Sequence, residues 1–125
     1  MAKDSEFQEE VLVVDDNDIT RSLIKAILDG SGFTLVMCSY YADALKLSSR
    51  QYFKAFIIDY HLPNVKGDVL TAVFRKLHPA AIIIGCSVLP KERPFLQAGA
   101  DYFILKENLP SDLLPTLTKA IASKK

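Results

Sequence analysis

The sequence has little of what several common classes of protein require. Its 125 residues hold fifteen Lys and Arg against fifteen Asp and Glu, so no net charge attracts nucleic acid or an anionic membrane. No apolar run approaches the roughly 20 residues that span a bilayer. The acidic start over residues 1–10 lacks the basic and apolar parts of a signal peptide. We therefore expect a cytoplasmic protein that binds neither nucleic acid nor membrane directly.

Cysteine is scarce as well. Cys38 and Cys86 lie in apolar stretches and do not show the paired spacing of a zinc or redox motif. We expect buried free thiols, which fit a reducing cytoplasm. Half of the residues are hydrophobic, enough for one core without disulfides. The length predicts a single domain over residues 1–125, with its core over about 10–123 and no output domain in this chain.

Short apolar runs alternate along the chain with stretches of helical spacing. The predicted strands are Val11–Val14, Phe33–Cys38, Ala55–Ile58, Ala81–Cys86 and Tyr102–Leu105. The predicted helices are one capped by Asn17 or Asp18 that reaches Leu28, Tyr41–Ser49, Asp68–Leu77, a short helix before Gly99, and a last helix capped by Ser111 or Asp112. Five strands that alternate with helices predict a doubly wound α/β domain with a five-stranded parallel sheet.

The sequence also predicts an apolar face on the third helix, a short fourth helix and the place of a proline in the last helix. The third helix carries an apolar face formed by Val69, Leu70, Val73, Phe74 and Leu77. Only twelve positions separate Ser87 from Gly99, and Pro90 and Pro94 interrupt them, so the fourth helix has one or two turns. Pro115 belongs in the first turn of the last helix, because proline has no backbone N–H to donate farther along.

Carboxylates follow two of the predicted strands. Asp15 and Asp16 follow the first strand, and Asp59 follows the third. Right-handed crossovers bring the carboxyl ends of parallel strands to one edge, where ligands bind. Three like charges at such an edge favour a bound divalent cation or a raised pKa. We expect Mg²⁺ there, with Asp16 and Asp59 as direct ligands and Asp15 acting directly or through water.

Two further polar residues end strands at the same edge, Ser87 after the fourth and Lys106 after the fifth. A carboxylate can accept a phosphoryl group as an aspartyl phosphate, and Asp59 is the candidate because it stands alone at its strand end. Phosphoryl transfer needs mainly positioning and charge neutralisation. Lys106 would contact the phosphoryl oxygens as a point charge, and the Ser87 hydroxyl would donate a hydrogen bond to one of them.

Three segments together resemble response-regulator receiver domains: Val-Leu-Val-Val-Asp-Asp-Asn at 11–17, Asp-Tyr-His-Leu-Pro-Asn-Val-Lys-Gly at 59–67, and Ala-Gly-Ala-Asp-Tyr-Phe-Ile-Leu-Lys at 98–106. The resemblance implies a flavodoxin-like fold with strand order 2-1-3-4-5. It implies that a histidine kinase, a phosphotransfer protein or a small phosphodonor phosphorylates Asp59 with Mg²⁺. It further implies that the backbone carbonyl of His61 is a metal ligand, and that Ser87 and Phe103 form the switch pair.

The chain departs from this family at two places. Glu107 follows Lys106 where the family usually has proline, and the fourth helix is short. That helix, the fifth strand and the last helix usually form the output and dimer face, so we hypothesise that output does not use the usual symmetric dimer.

The expected function is that of a signalling module, which catalyses only its own phosphorylation and dephosphorylation and switches an output domain or protein. One alternative is a receiver-like interaction module that is independent of phosphorylation. Another is an aspartyl-phosphate phosphatase of the haloacid-dehalogenase type. Such enzymes place Asp-x-Asp after the first strand, whereas Asp15 and Asp16 are adjacent.

Overall fold

A central sheet of five parallel strands organises the computed structural model, which describes residues 9–123. The strands of this sheet are β1 (Glu9–Val14), β2 (Phe33–Cys38), β3 (Ala55–Asp59), β6 (Ile82–Ser87) and β7 (Tyr102–Leu105). They lie in the order β2-β1-β3-β6-β7, which is 2-1-3-4-5 when these five are counted along the chain. The predicted fold class and strand order are therefore confirmed.

Five α-helices connect or follow the strands. They are α1 (Asp18–Leu28), α2 (Tyr41–Arg50), α3 (Gly67–Leu77), α4 (Glu92–Ala98) and α5 (Leu109–Ser123). The Asn17 side chain accepts a hydrogen bond from the Thr20 amide and caps α1 as expected. The short fourth helix is also confirmed, because α4 has seven residues and ends at Gly99 with a φ of 113°. No helix within residues 9–123 is long and apolar enough to cross a membrane.

The sheet is covered on both faces because its strands are apolar on both sides. Val11, Val13 and Ile57 pack with residues of α1 and α5, whereas Leu12 and Phe56 pack with residues of α2, α3 and α4. Continuous apolar strands of this kind are typical of parallel sheets that helices bury on both faces. Because all five strands run parallel, their carboxyl ends lie at the same edge of the sheet.

A small hairpin follows β3 and folds back on it. Its strands β4 (His61–Leu62) and β5 (Val65–Lys66) are antiparallel, and the turn between them holds Asn64 at a φ of 71°. The Gly67 amide donates to the Tyr60 carbonyl at 2.7 Å. A Cβ atom on Gly67 would lie 2.2 Å from the Asp59 carbonyl oxygen, so only glycine lets the backbone return this close.

Two expectations about helices are corrected. Of the expected apolar face of α3, Leu70 and Phe74 are buried but Val69, Val73 and Leu77 are exposed, and Thr71 is buried in their place. The buried arc of the helix is thus rotated from the arc that hydrophobicity alone indicates.

The start of the last helix is the second correction. A 3₁₀ turn over Lys106–Asn108 leads into α5, which begins at Leu109 rather than at a cap on Ser111 or Asp112. Pro115 therefore lies inside the helix and not in its first turn. Proline has no N–H to donate to the carbonyl of Ser111, four residues earlier. Ser111 is exposed, so water can donate to that carbonyl and replace the lost hydrogen bond.

Candidate functional site

Three carboxylates converge where β1 and β3 end side by side. Val14 pairs with Ile58 in the sheet register, so Asp15 and Asp16 emerge level with Asp59. Each of the three offers a carboxylate oxygen within 4.8 Å of the others. Asp15 and Asp59 are only 1% and 4% exposed, whereas Asp16 is exposed. The predicted cluster therefore exists, with two buried members and one facing solvent.

Lys106 joins the two buried carboxylates. Its Nζ lies 2.9 Å from Asp15 Oδ2 and 3.1 Å from Asp59 Oδ1. No peptide bond within residues 9–123 is cis, so the bond to Glu107 is trans, and the 3₁₀ turn after β7 still lets the ammonium reach the site. The structure thus brings Lys106 to the place that its position at a strand end predicts.

Asp15 is fixed by contacts that the sequence analysis did not identify. Its Oδ1 accepts a hydrogen bond from the Asn17 amide at 2.9 Å, and its backbone carbonyl accepts one from Arg21 Nη1 at 2.7 Å. The same guanidinium donates to Ser39 Oγ at 3.0 Å and pairs with Asp18. Arg21 lies one turn into α1, so its side chain can reach back to the end of β1. This position in the sequence could have identified the contact.

Ser87 and Phe103 lie near the site, but within residues 9–123 neither forms a hydrogen bond with its carboxylates. Ser87 is fully buried at the end of β6, and its Oγ accepts a hydrogen bond from the Leu89 amide at 3.1 Å. The half-buried Phe103 ring lies 5.8 Å from the Phe95 ring, centroid to centroid. His61 is exposed, with its ring edge-on to Tyr60 at 4.9 Å.

The charges at the site perturb one another. Burial raises the pKa of the Asp59 carboxyl above its usual 3.8, and the negative charge of Asp15 adds to this, while Lys106 opposes it. Burial would lower the pKa of Lys106, but its hydrogen bond and attraction to Asp15, with the charge of Asp59, raise that pKa above 10.5. The ionised form of Asp59 is therefore disfavoured in the folded protein, and a further positive charge at the site would stabilise it.

A change at Asp59 should alter stability with a defined pH dependence. Because folding raises the Asp59 pKa, the folded state holds this proton more tightly, and the free energy of unfolding falls as pH rises from 3.8 through the raised value. Asp59→Asn has no carboxyl group to ionise at this position, so its free energy of unfolding does not fall for this reason. We expect a melting temperature about 3 °C higher at pH 7 without divalent cation, and no such gain at pH 3. Equal melting temperatures of the two proteins at pH 7 would contradict this electrostatic account.

The donor set suits a hard divalent cation. All three groups offer carboxylate oxygens, and Mg²⁺ takes oxygen ligands in octahedral geometry together with waters. Among the described residues, Lys106 is the one cation that pairs with Asp15 and Asp59. Three ionised carboxylates beside one ammonium leave an excess of negative charge. The cluster can therefore hold a metal ion.

Comparison with known proteins agrees with this geometry. The family model described as the response regulator receiver domain matches residues 11–118. The two-component response regulator ORR5 of rice (Oryza sativa) is 31% identical over 109 residues, which cover 82% of this chain and 81% of that protein. A CheY-like receiver domain from Methanospirillum hungatei JF-1 superposes with a TM-score of 0.86 at 26% identity, covering 93% of this chain and 95% of that one.

Larger proteins contain similar segments. The sensor protein TorS of Escherichia coli is 26% identical over 110 residues, which cover 86% of this chain but only 12% of that protein. This chain thus corresponds to one part of such sensors. Together with the fold and the converging carboxylates, these similarities show that the chain belongs to the receiver domains of two-component response regulators.

Proposed function

We propose that Asp59 accepts a phosphoryl group in a Mg²⁺-dependent reaction, and that the resulting aspartyl phosphate switches binding to an output domain or protein. The observation that carries this proposal is the position of Asp59, whose carboxylate is buried at a strand end, contacts Lys106 at 3.1 Å and shares an acidic cluster with Asp15 and Asp16. A nucleophile, a cation site and a fixed ammonium are the parts that phosphoryl transfer needs.

In the proposed reaction an Asp59 oxygen attacks phosphorus and forms the new P–O bond. The bond from phosphorus to the donor breaks, and its electron pair leaves on acetate from acetyl phosphate or on the imidazole of a phosphohistidine. Lys106 already lies 3.1 Å from Asp59 and would neutralise charge on the transferred oxygens. Asp15, Asp16, Asp59 and the His61 carbonyl would hold Mg²⁺, which supplies charge neutralisation at the phosphoryl oxygens when it is bound.

The switch would run through Ser87 and Phe103. The Ser87 hydroxyl accepts from the Leu89 amide and keeps its own proton free to donate to a phosphoryl oxygen. Phe95 is fully buried, and a Cβ on Gly85 would lie 2.3 Å from its ring, so Phe95 occupies the space on β6 beside Phe103. Inward movement of Phe103 would therefore change its packing against Phe95, a residue of α4.

The phosphodonor would be a histidine kinase, a phosphotransfer protein or a small acyl phosphate, acting in the cytoplasm on a single receiver domain over residues 1–125. The likeness to part of the sensor protein TorS supports a place within a larger sensor, and the likeness to most of ORR5 supports a separate regulator. Both arrangements use the same site on this chain.

Incubation with acetyl phosphate tests the proposal. We expect acid-stable and base-labile phosphate on the protein in the presence of Mg²⁺, with labelling at least about tenfold slower after chelation. Asp112→Asn, a change at an exposed carboxylate of α5, serves as the control and should label like the wild type. Labelling that is absent, or that is unaffected by chelation, would contradict the proposal.

His61 should affect how long the phosphoryl group survives. Its exposed ring, packed edge-on against Tyr60, would cover the rim of the site beside Asp59. His61→Ala should then admit water and raise the dephosphorylation rate by about threefold, measured by loss of label after removal of the donor. Lys119→Ala, on the exposed face of α5, is the control. An unchanged rate in His61→Ala would remove this role.

A further inference from the structure

The peptide that joins Asp15 to Asp16 lies just beyond β1, where the ladder of the sheet ends. Val14 is the last residue of the strand. The Asp15 amide still donates to the Cys38 carbonyl at 3.1 Å, but the Asp15 carbonyl lies past the paired residues. Because a peptide unit is planar, the group that holds this carbonyl also orients the step from Asp15 to Asp16.

Arg21 holds this carbonyl from α1. Its Nη1 donates to the Asp15 carbonyl at 2.7 Å and to Ser39 Oγ at 3.0 Å, and its Nη2 pairs with Asp18. The guanidinium is planar and its donors have fixed directions, so partners on three sides determine its orientation. The Arg21 side chain is 20% exposed, whereas that of Asp18 is 87% exposed. The contacts to Asp15 and Ser39 are therefore the ones that solvent screens least.

The Asp15 side chain is fixed as closely as its backbone. Its Oδ1 accepts a hydrogen bond from the Asn17 amide at 2.9 Å, and its Oδ2 lies 2.9 Å from Lys106 Nζ. The neighbouring Asp16 is exposed, so the direction of its carboxylate depends mainly on the backbone that carries it. The peptide that Arg21 holds is the backbone that these two acidic residues share.

We propose that Arg21 is a positioning residue of the cation site, which orients Asp15 and Asp16 relative to one another through the Asp15 carbonyl. Arg21 offers only hydrogen-bond donors and does not contact the cation itself. The inference rests on the proposed function, because it requires that the acidic cluster binds Mg²⁺. Residues that orient metal ligands typically contribute roughly 10- to 100-fold to metal affinity.

Charge and position predict opposite results at Arg21. Removal of a positive charge near an acidic cluster favours a bound cation, so a purely electrostatic role predicts that Arg21→Met binds Mg²⁺ more tightly. Loss of the hydrogen bond to the Asp15 carbonyl predicts weaker binding. Arg21→Lys keeps the charge, but its single nitrogen cannot reproduce the planar fork, so this variant should also bind Mg²⁺ more weakly.

Titration with Mg²⁺, followed by the NMR amide resonances of the chain, measures the dissociation constant without a phosphodonor. We expect Arg21→Met to raise this constant about tenfold. Lys25→Met removes an exposed cation one turn farther along α1, and as the matched control it should leave the constant unchanged. With acetyl phosphate, Arg21→Met should need more Mg²⁺ but approach the wild-type labelling rate at saturation, because Asp59 and Lys106 are unaltered.

Ser39→Ala tests the same route while it leaves the guanidinium in place. It should raise the Mg²⁺ dissociation constant about threefold in the wild type and have no further effect in Arg21→Met, because the Ser39 hydroxyl acts through Arg21. Unchanged or tighter Mg²⁺ binding in Arg21→Met, or wild-type affinity in Ser39→Ala, would overturn this inference alone if the wild type binds Mg²⁺ and is labelled. A wild-type chain that binds no Mg²⁺ would overturn the proposed function as well.

Discussion

Replacing Asp59 with Asn is expected to lower phosphate incorporation from acetyl phosphate by at least about a thousandfold. The amide keeps the shape of the side chain but has no anionic oxygen to attack phosphorus. The loss of the nucleophile cannot be compensated by Asp15, whose oxygens are engaged with the Asn17 amide and with Lys106. The measurement is the initial rate of labelling at saturating Mg²⁺, compared between wild type and Asp59→Asn.

Asp15→Asn provides the matched comparison, because it removes the other buried carboxylate of the cluster and leaves Asp59 in place. This variant should still be labelled, but only at a higher Mg²⁺ concentration, since a weaker cation site is what it loses. The higher melting temperature expected for Asp59→Asn guards against misfolding as the cause of its inactivity. Labelling of Asp59→Asn at the wild-type rate would contradict the assigned acceptor.

Replacing Arg75 with Met is expected to lower the free energy of unfolding by about 3 kcal/mol. The guanidinium on α3 donates to the carbonyls of Gly99 at 2.9 Å and Ala81 at 2.7 Å, and it pairs with Asp101 at 2.7 Å. The same Asp101 oxygen accepts from the Ile83 amide. Arg75 thus ties α3 to the start of β6 and to the end of α4.

The size of this effect follows from burial. The Arg75 and Asp101 side chains are 23% and 26% exposed, so solvent screens the pair only in part, and the loss lies at the lower end of the range for buried pairs. Urea denaturation measures it. Arg50→Met, at an exposed arginine that ends α2, should change stability by less than about 0.5 kcal/mol. A comparable loss in both variants would show that the hydrogen bonds of Arg75 are not the cause.

The ends of the strands could be predicted from the sequence because the signal there is local and strong. Runs such as Val11–Val14 are buried on both faces of the sheet, so they contain no polar residue until the strand ends. The residue after each run then lies at the ligand-binding edge, which is why Asp15, Asp59 and Lys106 could be brought together from their spacing alone.

Features that depend on contacts between distant segments could not be predicted in this way. Arg21 reaches Ser39 only once β2 lies beside β1. The tolerance of Pro115 inside α5 depends on the exposure of one carbonyl. No sequence pattern records either of these tertiary facts.

The apolar face of α3 shows the limit of hydrophobicity as a guide. Hydrophobic spacing identifies apolar residues, but not which of them the sheet covers, and the sheet covers Leu70, Thr71 and Phe74. Val69, Val73 and Leu77 belong to the same apolar arc and face outward.

Chemical localisation of the phosphoryl group shows whether Asp59 carries it. Borohydride reduces an aspartyl phosphate to homoserine, and peptide sequencing by mass spectrometry then reads the position of the change. After incubation with acetyl phosphate and Mg²⁺, we predict homoserine at position 59 and at no other aspartate. Homoserine at position 15 or 16, or an unmodified Asp59 in protein that carries phosphate, would contradict the account.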